Sequence, residues 1–130
     1  MTKQSISIPE APEYVPRYSQ AVRAGNSVYV GGTMGVDMKT SQFAGPTIRE
    51  QARQSLLNCQ SILRVAGAEL ADVVMVHVLL SRSDDAPVMN EVFNEFFPNV
   101  EPPRFMARIG VDRPGLLISI AVIAVIAVID

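Results

Sequence analysis

A chain of 130 residues, 48% of them hydrophobic and with a net charge of −2, is long enough to bury a core and too apolar to stay disordered. The charge balance holds no basic block, which argues against nucleic acid as a partner. Cys59 is the only cysteine, so an intrachain disulfide framework is excluded. Residues 1–17 carry Pro9, Pro12 and Pro16 but no apolar stretch of signal-peptide length. A short edge strand near Ser5 to Ile8, followed by a loop, is expected there. Ser27 to Val30 reads as a strand that runs into Gly31 and Gly32, a pair that fits a bulge or close packing. Residues 36–42 hold the turn-compatible Asp37, Lys39 and Thr40, with room for a short strand near Phe43.

Thr47-Ile-Arg-Glu50 is a capping box. Behind it Ile48, Ala52, Leu56, Cys59, Ile62, Leu63 and Ala66 recur at three- and four-residue steps, which predicts a helix with one apolar face and Gly67 at its end. Residues 71–81 are β-branched and apolar and read as a strand. Ser83-Asp84-Asp85 offers an N-cap and Pro87 suits a first turn. Met89, Val92, Phe93, Phe96 and Phe97 then mark a second amphipathic helix that ends near Pro98. Residues 102–109 should be extended, and residues 112–115 should turn. Leu116 to Ile129 is apolar except for Ser119. It is short of the roughly 20 residues a membrane helix takes, and its β-branched content favours a strand. A cytoplasmic protein with no membrane segment is expected.

This order predicts a single α+β domain over residues 1–130, with two helices on one face of a mixed or antiparallel sheet. The last strand is apolar on both sides. Ile118, Ile120, Val122, Ala124, Ile126 and Val128 form one face; Leu117, Ile123, Val125 and Ile129 form the other. Two helices cover one face only, so the second cover is most simply another subunit, and a homo-oligomer follows.

Arg104 stands directly behind Pro102 and Pro103. Two fixed φ angles make that segment stiff, and a guanidinium on a stiff segment is a directional fork that matches a carboxylate. His77, mid-strand among apolar neighbours, reads as a core or interface residue. It has no cysteine or carboxylate partners at metal-ligand spacing, so no metal is expected. Cys59 reads as packing and Asp84-Asp85 as capping. Arg108 and Arg113 read as solvent or subunit contacts, Arg108 with the option of widening a cationic mouth.

Tyr18-Ser-Gln-Ala, Gly25-Asn-Ser-Val-Tyr-Val-Gly-Gly32, Asn90-Glu-Val-Phe-Asn-Glu-Phe-Phe97 and Pro102-Pro-Arg104, in that order, resemble the RidA/YjgF family, also labelled endoribonuclease L-PSP or translation inhibitor. The match runs from about Ser7 to Ile126. The resemblance implies a chorismate-mutase-like fold, a homotrimer with ligand clefts between subunits, and hydrolysis of reactive 2-imino acids to 2-oxo acids and ammonia without metal or organic cofactor. It implies that Arg104 clamps the substrate carboxylate, that Tyr18 and Gly32 line the cleft, and that Asn90 contributes from the second helix. Gly31 stands where the family has serine, and Phe93 where it often has tyrosine.

Two departures follow from the same match. The glutamates common in the family's last strand are Ser119 and Ala121 here, and a cysteine often found two residues after the arginine is Met106. Ser119 can hold a water but cannot take its proton at neutral pH. Two readings therefore stand: an imine deaminase with Arg104 and Ser119 as its catalytic residues and Met106 in the binding wall, or a small-carboxylate binder without turnover. An endoribonuclease reading rests on the family label alone, and the acidic balance and absence of a histidine pair weigh against it.

Overall fold

The computed structural model describes residues 2–8, 19–99 and 102–127. Six strands form one sheet: β1 (Lys3–Ile6), β2 (Ala21–Ala24), β3 (Ser27–Met34), β4 (Val73–Leu80), β5 (Arg104–Arg108) and β6 (Ile118–Val125). Their order across the sheet is β1-β2-β3-β6-β4-β5, antiparallel except for the parallel pair β4–β5. Two helices, α1 (Ile48–Val65) and α2 (Ala86–Phe96), pack on one face. The α+β architecture is as expected, and the sheet is mixed.

The last strand is shorter than its apolar run: β6 begins at Ile118 and ends at Val125. Parity governs its burial. Ile118, Ile120, Val122 and Ala124 are buried under the helices, whereas Ser119, Ala121 and Ile123 on the other face are half-buried. The helix-free face also exposes Tyr29 at 49%, Phe105 at 54% and Val125 at 43%. β2 escaped the sequence reading because four residues give little alternation to read; Ala21-Val-Arg-Ala24 pairs with both β1 and β3. The strand expected near Phe43 is a single bridge between Val36 and Phe43.

The capping box forms as the sequence dictates: Thr47 Oγ1 accepts from the Glu50 N–H, and the Glu50 carboxylate accepts from the Thr47 N–H. The chain turns out of α1 through Ala66 and Gly67, whose φ of 88° explains the glycine. Beside its apolar face α1 carries a buried polar row. Gln51 donates to the carbonyls of Gly45 and Gly115 and accepts from the Leu117 N–H. Ser55 donates to the Thr33 carbonyl, and Asn58 to those of Val36 and Met34. This row fastens the end of β3 and the entry to β6 to one helix. A Cβ at Gly35 would stand 2.2 Å from the Gln51 carbonyl oxygen, so the approach requires glycine.

Asp85 departs from its expected capping role. It makes no side-chain cap bond; it pairs with Arg82 at 3.1 Å, while residues 83–85 form a single 3₁₀ turn ahead of α2. Cys59 is fully buried, and burial pushes its thiol up to about 12, which fits its reading as packing. Among the described residues no helix is long and apolar enough to cross a membrane.

Candidate functional site

Arg104 opens β5 immediately after the two prolines, and its register fixes its direction. It lies opposite Val76, which is wholly buried beneath the helices, so Arg104 leaves the sheet on the helix side. β5 is an edge strand, and from there the side chain reaches α2. Its guanidinium carbon sits 4.7 Å from the centroid of the buried Phe93 ring. Stacking of this kind is worth about 0.5–2 kcal/mol and holds the fork while leaving its N–H edges free. The ion pairs among the described residues are Arg49–Glu91, Arg53–Glu95 and Arg82–Asp85; Arg104 has no carboxylate partner among them.

Met106 and Arg108 follow on the same side of β5, opposite Val78 and Leu80. The facing stripe of α2 carries Ala86, Asn90 and Phe93, spaced four and three residues apart. Asn90 Oδ1 is buried and has no hydrogen-bond partner among the described residues. An orphaned buried acceptor costs about 1–3 kcal/mol, so it is a position that an N–H donor would stabilise. Toward the start of α2 the groove opens into a cavity of about 220 Å³ lined by Leu80, Ser83, Ala86, Met106, Ala107 and Arg108.

A second patch lies on the opposite face of the sheet. Gly32, His77, Leu79, Phe105, Ser119 and Ala121 line a depression of about 290 Å³. Gly32 falls in the register shift between Val30 and Thr33, so the Gly31–Gly32 pair occupies a bulge. A Cβ at Gly32 would lie 3.0 Å from Ser119 Oγ, which ties the two positions together. Phe105, next in sequence to Arg104, points the other way and meets His77 edge-on, with ring centroids 5.7 Å apart and an interplanar angle of 84°.

The expected site residues therefore divide. Arg104 and Met106 share the helix-facing side of β5, and Asn90 lies on the α2 stripe between Ala86 and Phe93. Gly32 and Ser119 share the helix-free face. Tyr18 lies outside the described residues. Within one chain, strand parity sends Ser119 and Arg104 to opposite sides of the sheet. Phe93 as the platform under Arg104, and Ser83 and Ala86 as lining, were missed. The i, i+4, i+7 stripe 86–90–93 and the even-numbered face 104–106–108 could have revealed them. No cluster of His, Cys, Asp and Glu suited to a metal ion occurs among the described residues.

Comparison with known proteins places this geometry. The family model described as Endoribonuclease L-PSP matches residues 8–126. A 2-iminobutanoate/2-iminopropanoate deaminase of Dermatophagoides farinae is 37% identical over 102 residues, covering 78% of this chain and 80% of that one. A RutC family protein of Pyrococcus horikoshii is 37% identical over 122 residues, covering 94% and 97%. The crystal structure of RidA from the Antarctic bacterium Psychrobacter sp. PAMC 21119 superposes with a TM-score of 0.86 at 35% identity, covering 95% of this chain and 99% of that one. That of Escherichia coli TdcF with bound serine gives 0.87 at 27% identity, covering 95% and 99%. With the family match spanning nearly the whole chain and the two helices and mixed sheet of its members in place, the chain belongs to the endoribonuclease L-PSP family, that of RidA and YjgF.

Proposed function

We propose that the chain hydrolyses reactive 2-imino and enamine acids to 2-oxo acids and ammonia, in a groove centred on Arg104. One observation carries this reading: a guanidinium without a carboxylate partner among the described residues, held over Phe93, on the strand facing the helix stripe that carries Asn90 Oδ1, likewise unpartnered among them. A 2-imino acid presents both complements, an α-carboxylate for the fork and a protonated imine N–H for the amide oxygen. The names of similar proteins support the same chemistry, and the serine bound in TdcF is a ligand with an α-carboxylate.

Water adds to C2 of the iminium, forming a C–O bond while the C=N π electrons move to nitrogen. A proton passes from the added oxygen to nitrogen. The C–N bond then breaks with its electron pair leaving as ammonia, the hydroxyl oxygen forms the new C=O while its proton passes to solvent or to the departing ammonia, and the 2-oxo acid remains. The protein's part is to fix carboxylate and nitrogen so that C2 presents one face to water; positioning of this kind is worth several kcal/mol. No metal or organic cofactor is required.

The helix-free face bears Tyr29, Phe105 and Val125 in the open, and we assign it to contact between copies in a homotrimer. In that arrangement Gly32 and Ser119 of one copy, with Tyr18, complete the cleft begun by Arg104, Asn90 and Met106 of another, and the Ser119 hydroxyl holds the water. A second reading, binding of a small 2-oxo acid without turnover, is favoured by Ser119 and Ala121 standing where family members commonly carry glutamate. The test supplies 2-aminoacrylate from a serine dehydratase and follows decay of the imine. Acceleration over buffer that disappears in Arg104→Ala supports hydrolysis. Decay at the buffer rate would leave only the binding reading.

A further inference from the structure

We propose that the groove between α2 and β5 selects 2-imino acids whose side chain ends in a second carboxylate, with Arg108 as the specificity-determining residue. This rests on the reading of Arg104 as the α-carboxylate clamp and adds to it the class of substrate.

The helix-facing side of β5 presents Arg104, Met106 and Arg108 in turn, a cation, an apolar spacer and a second cation. Strand geometry puts the two arginine Cα atoms about 13 Å apart at ~3.3 Å per residue, and long stems let both guanidinium groups close on a shorter ligand. The opposite wall runs in step. Phe93 lies under Arg104, Asn90 comes one turn earlier, and Ala86 adjoins Met106 and Arg108 at the cavity. The cavity wall is apolar at Leu80, Ala86, Met106 and Ala107, and its volume of about 220 Å³ suits a short aliphatic chain. Only the Ser83 hydroxyl and the Arg108 guanidinium bring polarity to it, and both residues are exposed at its mouth.

Arg108 makes no ion pair among the described residues, and Asp85, near in sequence to Ser83, is already engaged by Arg82. An apolar passage with a cation at each end, neither paired among the described residues, matches a ligand with an anion at each end and methylenes between. A terminal carboxylate would gain a charge-assisted hydrogen bond from Arg108 that a terminal methyl cannot make.

Calorimetric titration of the full chain with two six-carbon 2-oxo acids separates the possibilities: 2-oxoadipate, with a carboxylate end, and 2-oxohexanoate, with a methyl end. The wild-type protein should bind 2-oxoadipate about tenfold more tightly, as one partly exposed charge-assisted bond allows. In Arg108→Gln, on an exposed edge position, that ratio should fall to near one. Equal affinities in the wild type, or a ratio that survives Arg108→Gln, would overturn the inference while leaving the Arg104 clamp intact. Arg104→Gln should weaken both acids; if both bind it as before, the clamp reading fails instead. If neither acid binds the wild type, both fall.

Discussion

The groove between α2 and β5 and the depression on the helix-free face are built partly from neighbouring residues of the same strand, yet they have opposite characters. The groove holds a cation on an aromatic platform, with no carboxylate partner among the described residues, beside the helix stripe that carries Asn90. The depression is apolar apart from His77 and the Ser119 hydroxyl, and its rim leaves Phe105 54% exposed. A single step along β5, from Arg104 to Phe105, moves from the helix side of the sheet to the helix-free face. Period-two alternation at an edge strand thus gives one short segment a cationic side and an aromatic side, which the proposed function assigns to a ligand and to a second copy.

The largest test of that division is Phe105→Asp. A charge in the middle of the helix-free face should reduce the assembly from three times the 14.1 kDa chain mass to the monomer, read by light scattering. Turnover should vanish with it if the cleft needs two copies. An oligomer of unchanged mass would show that this face is not the contact. Next comes Gln51→Ala, which should lower unfolding free energy by about 2–4 kcal/mol in denaturant titration, because it strips partners from two carbonyls and the Leu117 N–H at the entry to β6.

Asn90→Ala sharpens the contrast between binding and packing. It removes an acceptor that has no partner among the described residues, so stability should change by less than about 1 kcal/mol. The specificity constant for the imine should nonetheless fall about tenfold. A large loss of stability with unchanged kinetics would make Asn90 a structural residue. The smallest effect belongs to Ser119→Ala, where losing a hydroxyl that only places water should cost less than about threefold in rate.

Much of this was legible before any coordinates. The capping box at Thr47–Glu50, the apolar stripe through Leu56 and Leu63, and the stiff Pro102–Pro103 approach to Arg104 are local signals with local causes, and each forms as read. What the sequence left unread has a different cause. Whether Ser119 meets Arg104 depends on the registers of β5 against β4 and of β4 against β6, three segments far apart in sequence, and no periodicity within β6 states them. The polar row Gln51, Ser55 and Asn58 was likewise hidden, because a glutamine on a helix looks solvent-facing until its loop partners at Gly45 and Gly115 are known. Arg108 was legible as a residue with the option of widening a cationic mouth, but its place beside Ser83 and Ala86 was not, since that depends on α2 folding back along β5.

The most direct test of a composite cleft is a crystal structure soaked with 2-oxobutyrate. The expected result is the carboxylate bridged by the Arg104 guanidinium, beside Asn90, with Gly32 and Ser119 of a second copy forming the opposite wall. A ligand bound away from Arg104, or an Arg104 groove that no second copy approaches, would contradict it.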